Sequence, residues 1–271
     1  MKCIHMSDTH LLPPGNLLHG IFPEENLRKC FDAIQEWHAD ARFVLITGDI
    51  SEDGGAKSYW LLQKEALRLR IPVLALPGNH DNADWMHATF PSFSGNLDAL
   101  KAGCWMPSAL RTPVGFFIFL DTTLQGAAYD VFDEKRALGL QNELDSLGDA
   151  HEDIFIAFHH PPFVSGIPSM DARRLLDPEA LHSVLSLYGS RVRHLFVGHL
   201  HRSLFGNWRG IPFSVARSIV HQVLPDGNRA EEGGTMRGCD ESPEYNVVLI
   251  DRTDVVCHAF PFLDTPRTFA L

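Results

Sequence analysis

An α/β fold is predicted for this 271-residue chain from three features. Short apolar runs rich in Val, Ile, Leu and Phe recur as far as residue 197: "CIHM", "FVLIT", "VLAL", "FFIFL", "IFIAF" and "HLFV". Runs that are apolar at successive positions suit strands covered on both faces. Longer segments with apolar residues at helical spacing separate them, which is the pattern of βαβ units. After residue 210 the style changes to "PFSVARSIVHQVL" and "YNVVLIDRTDVVCHAF", predicted as antiparallel strands joined by the glycine-rich, charged stretch "PDGNRAEEGGTMRGCDESPE".

The elements follow in order. Between the first two runs, Leu27, Cys30, Phe31, Ile34 and Trp37 fall on one helical face, with Pro23 ahead and acids in the first turn, so this segment is predicted to pack on the sheet. Further on, Asp177 is placed as N-cap and Pro178 at the first helical position. Leu181, Val184, Leu185 and Tyr188 form the face, and Gly189 closes the helix before "RVRHLFVGHLH". No repeat and no linker divides the chain, so residues 1–271 read as one domain with a strand-rich tail at 211–260.

Composition narrows the function classes. With 45% hydrophobic residues the chain can bury a sizeable core, and its formal net charge of -11 disfavours a nucleic-acid polymer or an anionic membrane as partner. Cys3, Cys30, Cys104, Cys239 and Cys257 are odd in number and contain no Cys-x-x-Cys pair, so they read as reduced thiols rather than a disulfide framework. No uncharged apolar run approaches the roughly 18 residues that span a bilayer. "MKCIHMSDTH" carries no leader-type apolar stretch, and a cytoplasmic address is expected.

Five of the apolar runs end in groups able to bind metal: "SDTH" with Asp8 and His10, "GDI" with Asp49, "GNHD" at Asn79 to Asp81, "FHHPP" with His159, and "GHLH" with His199 and His201. Carboxyl ends of strands in α/β sheets are where ligands bind, so groups distant in sequence can converge there. Asp8 and His10, like His199 and His201, are one residue apart, which on an extended backbone sends both side chains to one side and Leu200 to the other. Gly48, Gly78 and Gly198 remove bulk where backbone must approach closely. Imidazole and carboxylate without thiolate suit zinc, iron or manganese at a catalytic centre.

The ordered set Asp8-x-His10, Gly48-Asp49, Gly78-Asn79-His80-Asp81, His159 and Gly198-His199-x-His201 resembles the calcineurin-like metallophosphoesterase superfamily. Within it, the short loop after His10 and the "LITGDISEDG" run are similar to class III cyclic nucleotide phosphodiesterases and bacterial glycerophosphodiesterases. Purple acid phosphatases usually carry a tyrosine ligand where this chain has Glu52, which disfavours a tyrosine-ligated iron site.

The resemblance implies a four-layer αββα sandwich of two mixed sheets flanked by helices. It also implies two divalent ions, one held by Asp8, His10, Asp49 and His201, the other by Asn79, His159, His199 and the bridging Asp49. With Asp8 and Asp49 as the only ionised ligands, two such ions leave about two positive charges to attract a phosphoester. Ions about 3.5–4 Å apart can activate a shared water for in-line attack on phosphorus as hydroxide. His80 is assigned to protonating the leaving oxygen or stabilising the transition state, and Asp81 to orienting it or capping the helix that follows.

The expected activity is hydrolysis of a small phosphodiester, a cyclic nucleotide or glycerophosphodiester. The alternatives are a phosphomonoesterase or a non-catalytic metal-binding scaffold. The resemblance also allows a homo-oligomer. His160 has a supporting role as one reading, and His5, His38, His151, His182 and His194 read as structural or solvent-exposed; nothing is assigned to His221 or His258. Asp121, ending "FFIFLD", reads as helix capping or loop packing. Trp85, Phe90 and the loop "LLPPGNLLHGIF" read as loop packing or as a leaving-group pocket.

Overall fold

The computed structural model describes residues 1–124, 126–147, 152–225, 236–263 and 269. Every predicted apolar run forms a strand. In chain order the strands are β1 (Lys2–Met6), β2 (Val44–Thr47), β3 (Pro72–Leu76), β4 (Ser92–Asn96), β5 (Gly103–Thr112), β6 (Gly115–Phe119), β7 (Asp130–Val131) and β8 (Ile154–Ala157). They continue as β9 (Leu175–Leu176), β10 (Val192–Val197), β11 (Leu204–Trp208), β12 (Ile211–Val215), β13 (Gln222–Val223), β14 (Gly238–Cys239), β15 (Glu244–Ile250) and β16 (Val255–Pro261). The helices are α1 (Pro23–Trp37), α2 (Ala56–Ala66), α3 (Ala83–Thr89), α4 (Glu134–Ser146), α5 (Pro168–Asp171) and α6 (Pro178–Ser186).

Twelve strands join in one curled mixed sheet, ordered β11-β12-β10-β8-β6-β5-β3-β2-β1-β15-β16, with β4 also on β5. β5 links the two halves of this sheet. Its first residues pair parallel with β3, Pro72 against Gly103, and its last pair antiparallel with β6, Ala109 against Ile118. Pro107 has no amide hydrogen to donate, and the β4–β5 register shifts beside it, so the strand bends there and carries the ladder from one half-sheet to the other.

Alternation along each strand sorts side chains between cores. On one half-sheet Ile4, Val44 and Val73 pack with Leu27 and Phe31 of α1 and Tyr59 and Leu62 of α2. On the other, Ile118, Ile156 and Leu195 pack with Leu140 and Leu144 of α4 and Leu181 and Leu185 of α6. A third cluster joins Leu45 and Leu74 from the first half to Phe117, Phe155 and Phe196 from the second. Phe117 stacks on Phe155 at 4.8 Å, and each fully buried phenylalanine contributes roughly 1.5–3 kcal/mol.

In the tail, β13 pairs antiparallel with β14 and β15 with β16, whereas β12 pairs antiparallel with the preceding β11 and parallel with β10 rather than with β15. In α1, Leu27, Cys30, Phe31 and Ile34 are buried, whereas Trp37 at the last position is 45% exposed. Asp177 precedes α6 in a left-handed conformation and makes no side-chain cap, a correction to its predicted role. No helix among the described residues is long and apolar enough to cross a membrane. His151 and residues 226–235 of the charged stretch lie outside the described residues.

Candidate metal centre

The predicted residues stand in turns that begin where strands end. Asp8 and His10 follow β1, Asp49 follows β2, Asn79 follows β3, His159 follows β8, and His199 and His201 follow β10. Five of them have left-handed backbone: Asp8 (φ 53°), His10 (41°), Asp49 (50°), His199 (69°) and His201 (51°). Non-glycine residues adopt this region at a cost, so its concentration in these turns marks a backbone held by its surroundings. The holding bonds are Asp8 N to Gly48 O (3.0 Å), His10 N to Asp49 O (2.9 Å), Gly198 N to His159 O (3.0 Å) and Ser218 Oγ to Asp8 O (2.8 Å). Strand alternation is therefore not what aims His199 and His201 together, because β10 ends at Val197; the left-handed turns do it, with Leu200 buried between them.

These turns bring the donor atoms into one cluster. His10 Nε2 lies 3.0 Å from His201 Nε2 and 3.8 Å from Asp49 Oδ2, and His201 Nε2 lies 3.3 Å from Asp8 Oδ1. Asp49 Oδ2 is also 3.3 Å from His159 Nε2, so one carboxylate oxygen faces both groups. Donors about 2.0–2.2 Å from a shared ion stand about 3–3.5 Å apart, and those here stand 3.0–3.8 Å apart. His159 and His199 form a second group with His160. Asp8 Oδ1, Asn79 Oδ1, His159 Nε2 and His199 Nε2 are buried without a hydrogen-bond partner, an arrangement that costs free energy unless something else binds them.

The opposite ring nitrogens are committed. His10 Nδ1 donates to Glu52 Oε2 (2.7 Å), His159 Nδ1 to Thr47 O (2.7 Å) and His201 Nδ1 to His221 O (2.9 Å). Each bond fixes a tautomer whose Nε2 lone pair is free for a cation, the usual support of metal-binding imidazoles. The glycines permit the closeness: a Cβ on Gly78 would stand 2.3 Å from Asp49 Oδ1, one on Gly198 2.2 Å from Ser7 Oγ, and one on Gly48 2.4 Å from His159 Nδ1. The donor set thus has the chemistry and spacing to hold metal cations.

A family model described as calcineurin-like phosphoesterase matches residues 1–203. The chain belongs to the calcineurin-like phosphoesterase family. A Rhodopseudomonas palustris protein described as a probable cyclic nucleotide phosphodiesterase is 30% identical to this phosphoesterase, over all of the chain and 96% of the relative. The glycerophosphodiester phosphodiesterase GpdQ of Enterobacter lignolyticus is 26% identical, over 82% of the chain and 79% of its own length. Among solved structures, a dimetal phosphatase from Danio rerio shares the fold with a TM-score of 0.64 at 13% identity, covering 97% of each chain. Members of this family use divalent metal ions, which agrees with the donor set.

The electrostatics of the phosphoesterase's cluster also favour a cation. Burial opposes ionisation of Asp49, yet His159 beside it holds the carboxyl well below the usual carboxylate range. Burial likewise disfavours charge on His159, and the Asp49 and Asp8 carboxylates overcome it, pushing the ring up to about 10. His199, buried and facing His160 and His159, is driven well below its ordinary value. The carboxylates thus call for positive charge that a divalent ion can supply in place of protons.

His80 is partly exposed. Its N–H donates to Asp49 Oδ1 (2.9 Å), and its ring Nδ1 donates to Glu52 O (3.1 Å). Asp81 neither bonds His80 nor caps the next helix: Asn82 caps α3 by accepting from Trp85 N. The Asp81 carboxylate instead accepts from Ile50 N, Ser51 N, Gly78 N and Tyr59 Oη at 2.9–3.1 Å, tying the Asp49 turn to the Asn79 turn.

Glu52 and His221 escaped the sequence reading, and His160, given a supporting role in one reading, has a defined partner. Glu52 touches both His10 and His80, and the sequence marks it only as the position where purple acid phosphatases have tyrosine. His160 pairs with Asp130, and its ring centroid lies 4.2 Å from that of His199. His221 packs against the rings of both His10 and His201; no motif spacing announced it. Phe90 is fully buried in the core beside Tyr59, so it is packing rather than pocket lining.

Proposed function

We propose that this phosphoesterase hydrolyses a small phosphodiester, a cyclic nucleotide or glycerophosphodiester, at two divalent ions. Asp8, His10, Asp49 and His201 would hold one, and Asn79, His159, His199 and the shared Asp49 the other. The observation that carries the reading is the convergence of buried, partnerless donor atoms on Asp49 from turns far apart in sequence. The relatives' names supply the substrate class, and the net charge of -11 weighs against a nucleic-acid polymer.

Bound there, the ions would supply Lewis-acid stabilisation of the phosphoryl group and a more acidic water. The chain's own part is positional. Glu52, Thr47 and His221 fix the imidazole tautomers, and Asp81 locks the two turns that carry Asp49 and Asn79. With Nδ1 of His80 donating to Glu52 O, its Nε2 is left to exchange a proton with the leaving oxygen.

The same reading takes the curled sheet as the two inner layers of a four-layer αββα arrangement within a single domain. The three separate apolar clusters support it, as does the full-length match to the Rhodopseudomonas relative. Five free cysteines favour a reducing, cytoplasmic setting, and the strand-rich tail is the surface we assign to a homo-oligomer.

The test uses metal-stripped and manganese-loaded protein with bis(p-nitrophenyl) phosphate and p-nitrophenyl phosphate. We expect two metal ions per chain, diester turnover that disappears on chelation and returns with manganese, and a higher kcat/KM for the diester. Preference for the monoester would move the assignment to a phosphomonoesterase, and fully loaded protein inert to both would make it a scaffold.

A further inference from the structure

Of the four imidazoles proposed as ligands, His10, His159 and His201 are each anchored from behind by a hydrogen bond at Nδ1. His199 is the exception. Among the described residues no hydrogen bond holds its ring, which instead packs against two other imidazoles, His160 at 4.2 Å between centroids and His159 at 5.1 Å. His159 and His160 meet edge to face at 4.7 Å, so the three rings close a triangle. An unanchored imidazole can turn about its side-chain torsions and present its nitrogen poorly to a cation. If His160 is to steady His199, something must first fix His160.

Asp130 does so. Its Oδ2 meets His160 Nδ1 and also accepts a hydrogen bond from Thr122 Oγ1, and all three side chains are buried. Asp130 belongs to β7, which lies off the main sheet and pairs with β9 in a two-stranded ribbon, Asp130 against Leu175. The ribbon is seated on the second half-sheet. Phe132 and Leu175 are buried in the core beneath α4 and α6, and Leu175 N donates to Pro161 O (3.0 Å), one residue after His160. Thr122 follows β6, so the carboxylate is gripped from the sheet and from the ribbon at once.

The Asp130–His160 pair is a poor source of stability. Asp130 Oδ1 and His160 Nε2 are buried with no hydrogen-bond partner, and a buried ionic pair left partly unsatisfied returns less than its desolvation costs. Its place in the molecule gives it another use. One donor nitrogen from each of His159, His160 and His199 lies within 4.8 Å of the others, which sets the pair at the group proposed to hold the second ion.

We infer that Asp130 and His160 are positioning residues for the second ion: the carboxylate fixes the His160 ring, and that ring, by packing on His199, replaces the hydrogen bond that anchors the other three imidazoles. The inference rests on the two-ion reading and adds to it two residues outside both ligand sets. Occupancy of the second group is thereby tied to the seating of the β7–β9 ribbon, although the ribbon supplies no ligand.

The test titrates metal-stripped protein with manganese, followed by calorimetry and by electron paramagnetic resonance, which separates a lone ion from a spin-coupled pair. Asp130→Ala frees the His160 ring, and His160→Asn keeps a nitrogen for Asp130 but removes the ring. Each is expected to raise at least tenfold the manganese concentration that half-develops the pair signal, while one site keeps its affinity within threefold of wild type. Asp130→Asn leaves an oxygen at Nδ1 and should keep the pair signal within threefold of wild type. If Asp130→Ala does not fold, the contrast between His160→Asn and Asp130→Asn decides. An unchanged pair signal, equal weakening of both sites, or an Asp130→Asn protein as weak as the ring-free His160→Asn would overturn the inference. A His160→Asn protein that takes no second ion at any manganese concentration would also overturn it, because His160 would then be a ligand itself. Wild type that binds a single ion would remove the two-ion reading and this one with it.

Discussion

At His10, backbone, ring and neighbour all serve one orientation. The left-handed turn aims the side chain inward, and Glu52 accepts the hydrogen bond from Nδ1–H so that Nε2 faces Asp8, Asp49 and His201. Glu52→Gln keeps the size but removes the charge that makes His10 a better donor. We expect metal affinity at the His10 site to fall about 10- to 100-fold, read by calorimetric titration of chelator-treated protein with manganese. Unchanged affinity would show that the 2.7 Å contact does nothing for the metal. Asp81 makes a different prediction. Its four accepted bonds hold two turns together, so Asp81→Ala should cost about 2–3 kcal/mol in urea unfolding of the metal-free protein. A loss of turnover without loss of stability would instead return Asp81 to a part in catalysis. Its sequence position beside His80 suggested that part, because adjacency in a motif does not reveal which backbone amides a carboxylate meets.

Among the elements, the strands whose runs are continuously apolar were legible, and so was α1, because burial on both faces or along one face leaves a clear period. The segment 92–112 was not. "SFSGN" is polar and glycine-bearing, and "GCWMPSALRT" carries a proline and no alternation, yet these strands form the bend that joins the half-sheets. The sequence places the proposed donors just after strand ends, where the structure has these residues, but it attributes the pairing of His199 and His201 to an extended backbone, where the turn is left-handed. The glycine reading at 198 has a direct check. Its Cβ would meet Ser7 Oγ at 2.2 Å and Thr47 O at 2.5 Å, and Thr47 O is the acceptor that anchors His159. Gly198→Ala should therefore destabilise the protein by about 1–3 kcal/mol and weaken metal binding at the His159 group. A variant with the wild-type urea midpoint and metal content would mean that β10 can shift away from β2 without consequence.

For the whole molecule, the space between the half-sheets decides how stability depends on pH. That interior is built on phenylalanines, and it encloses two histidines that the sequence reading took as structural or exposed and whose depth it could not gauge. His5 bonds Thr47 Oγ1 at 3.0 Å, His194 bonds Ser214 Oγ at 2.9 Å, and both rings pack on Phe196. Burial pushes His5 down to about 3, helped by His194, and pushes His194 down to about 4. An imidazole in the unfolded chain titrates near about 6.5, so below that pH the unfolded state takes up protons that the folded interior refuses. Stability from this source is fully present above pH about 6.5. It is lost as the pH falls, at about 1.4 kcal/mol per pH unit for each histidine, until the folded values are reached. Other depressed histidines add to the total slope, so the informative quantity is a difference. In metal-free protein, the fall in unfolding free energy between pH 5.5 and pH 4.5 should be smaller by about 1 kcal/mol in His194→Gln than in wild type, because glutamine keeps a hydrogen bond to Ser214 but takes no proton. Equal slopes would mean that burial does not keep His194 neutral in the folded interior and would overturn this account.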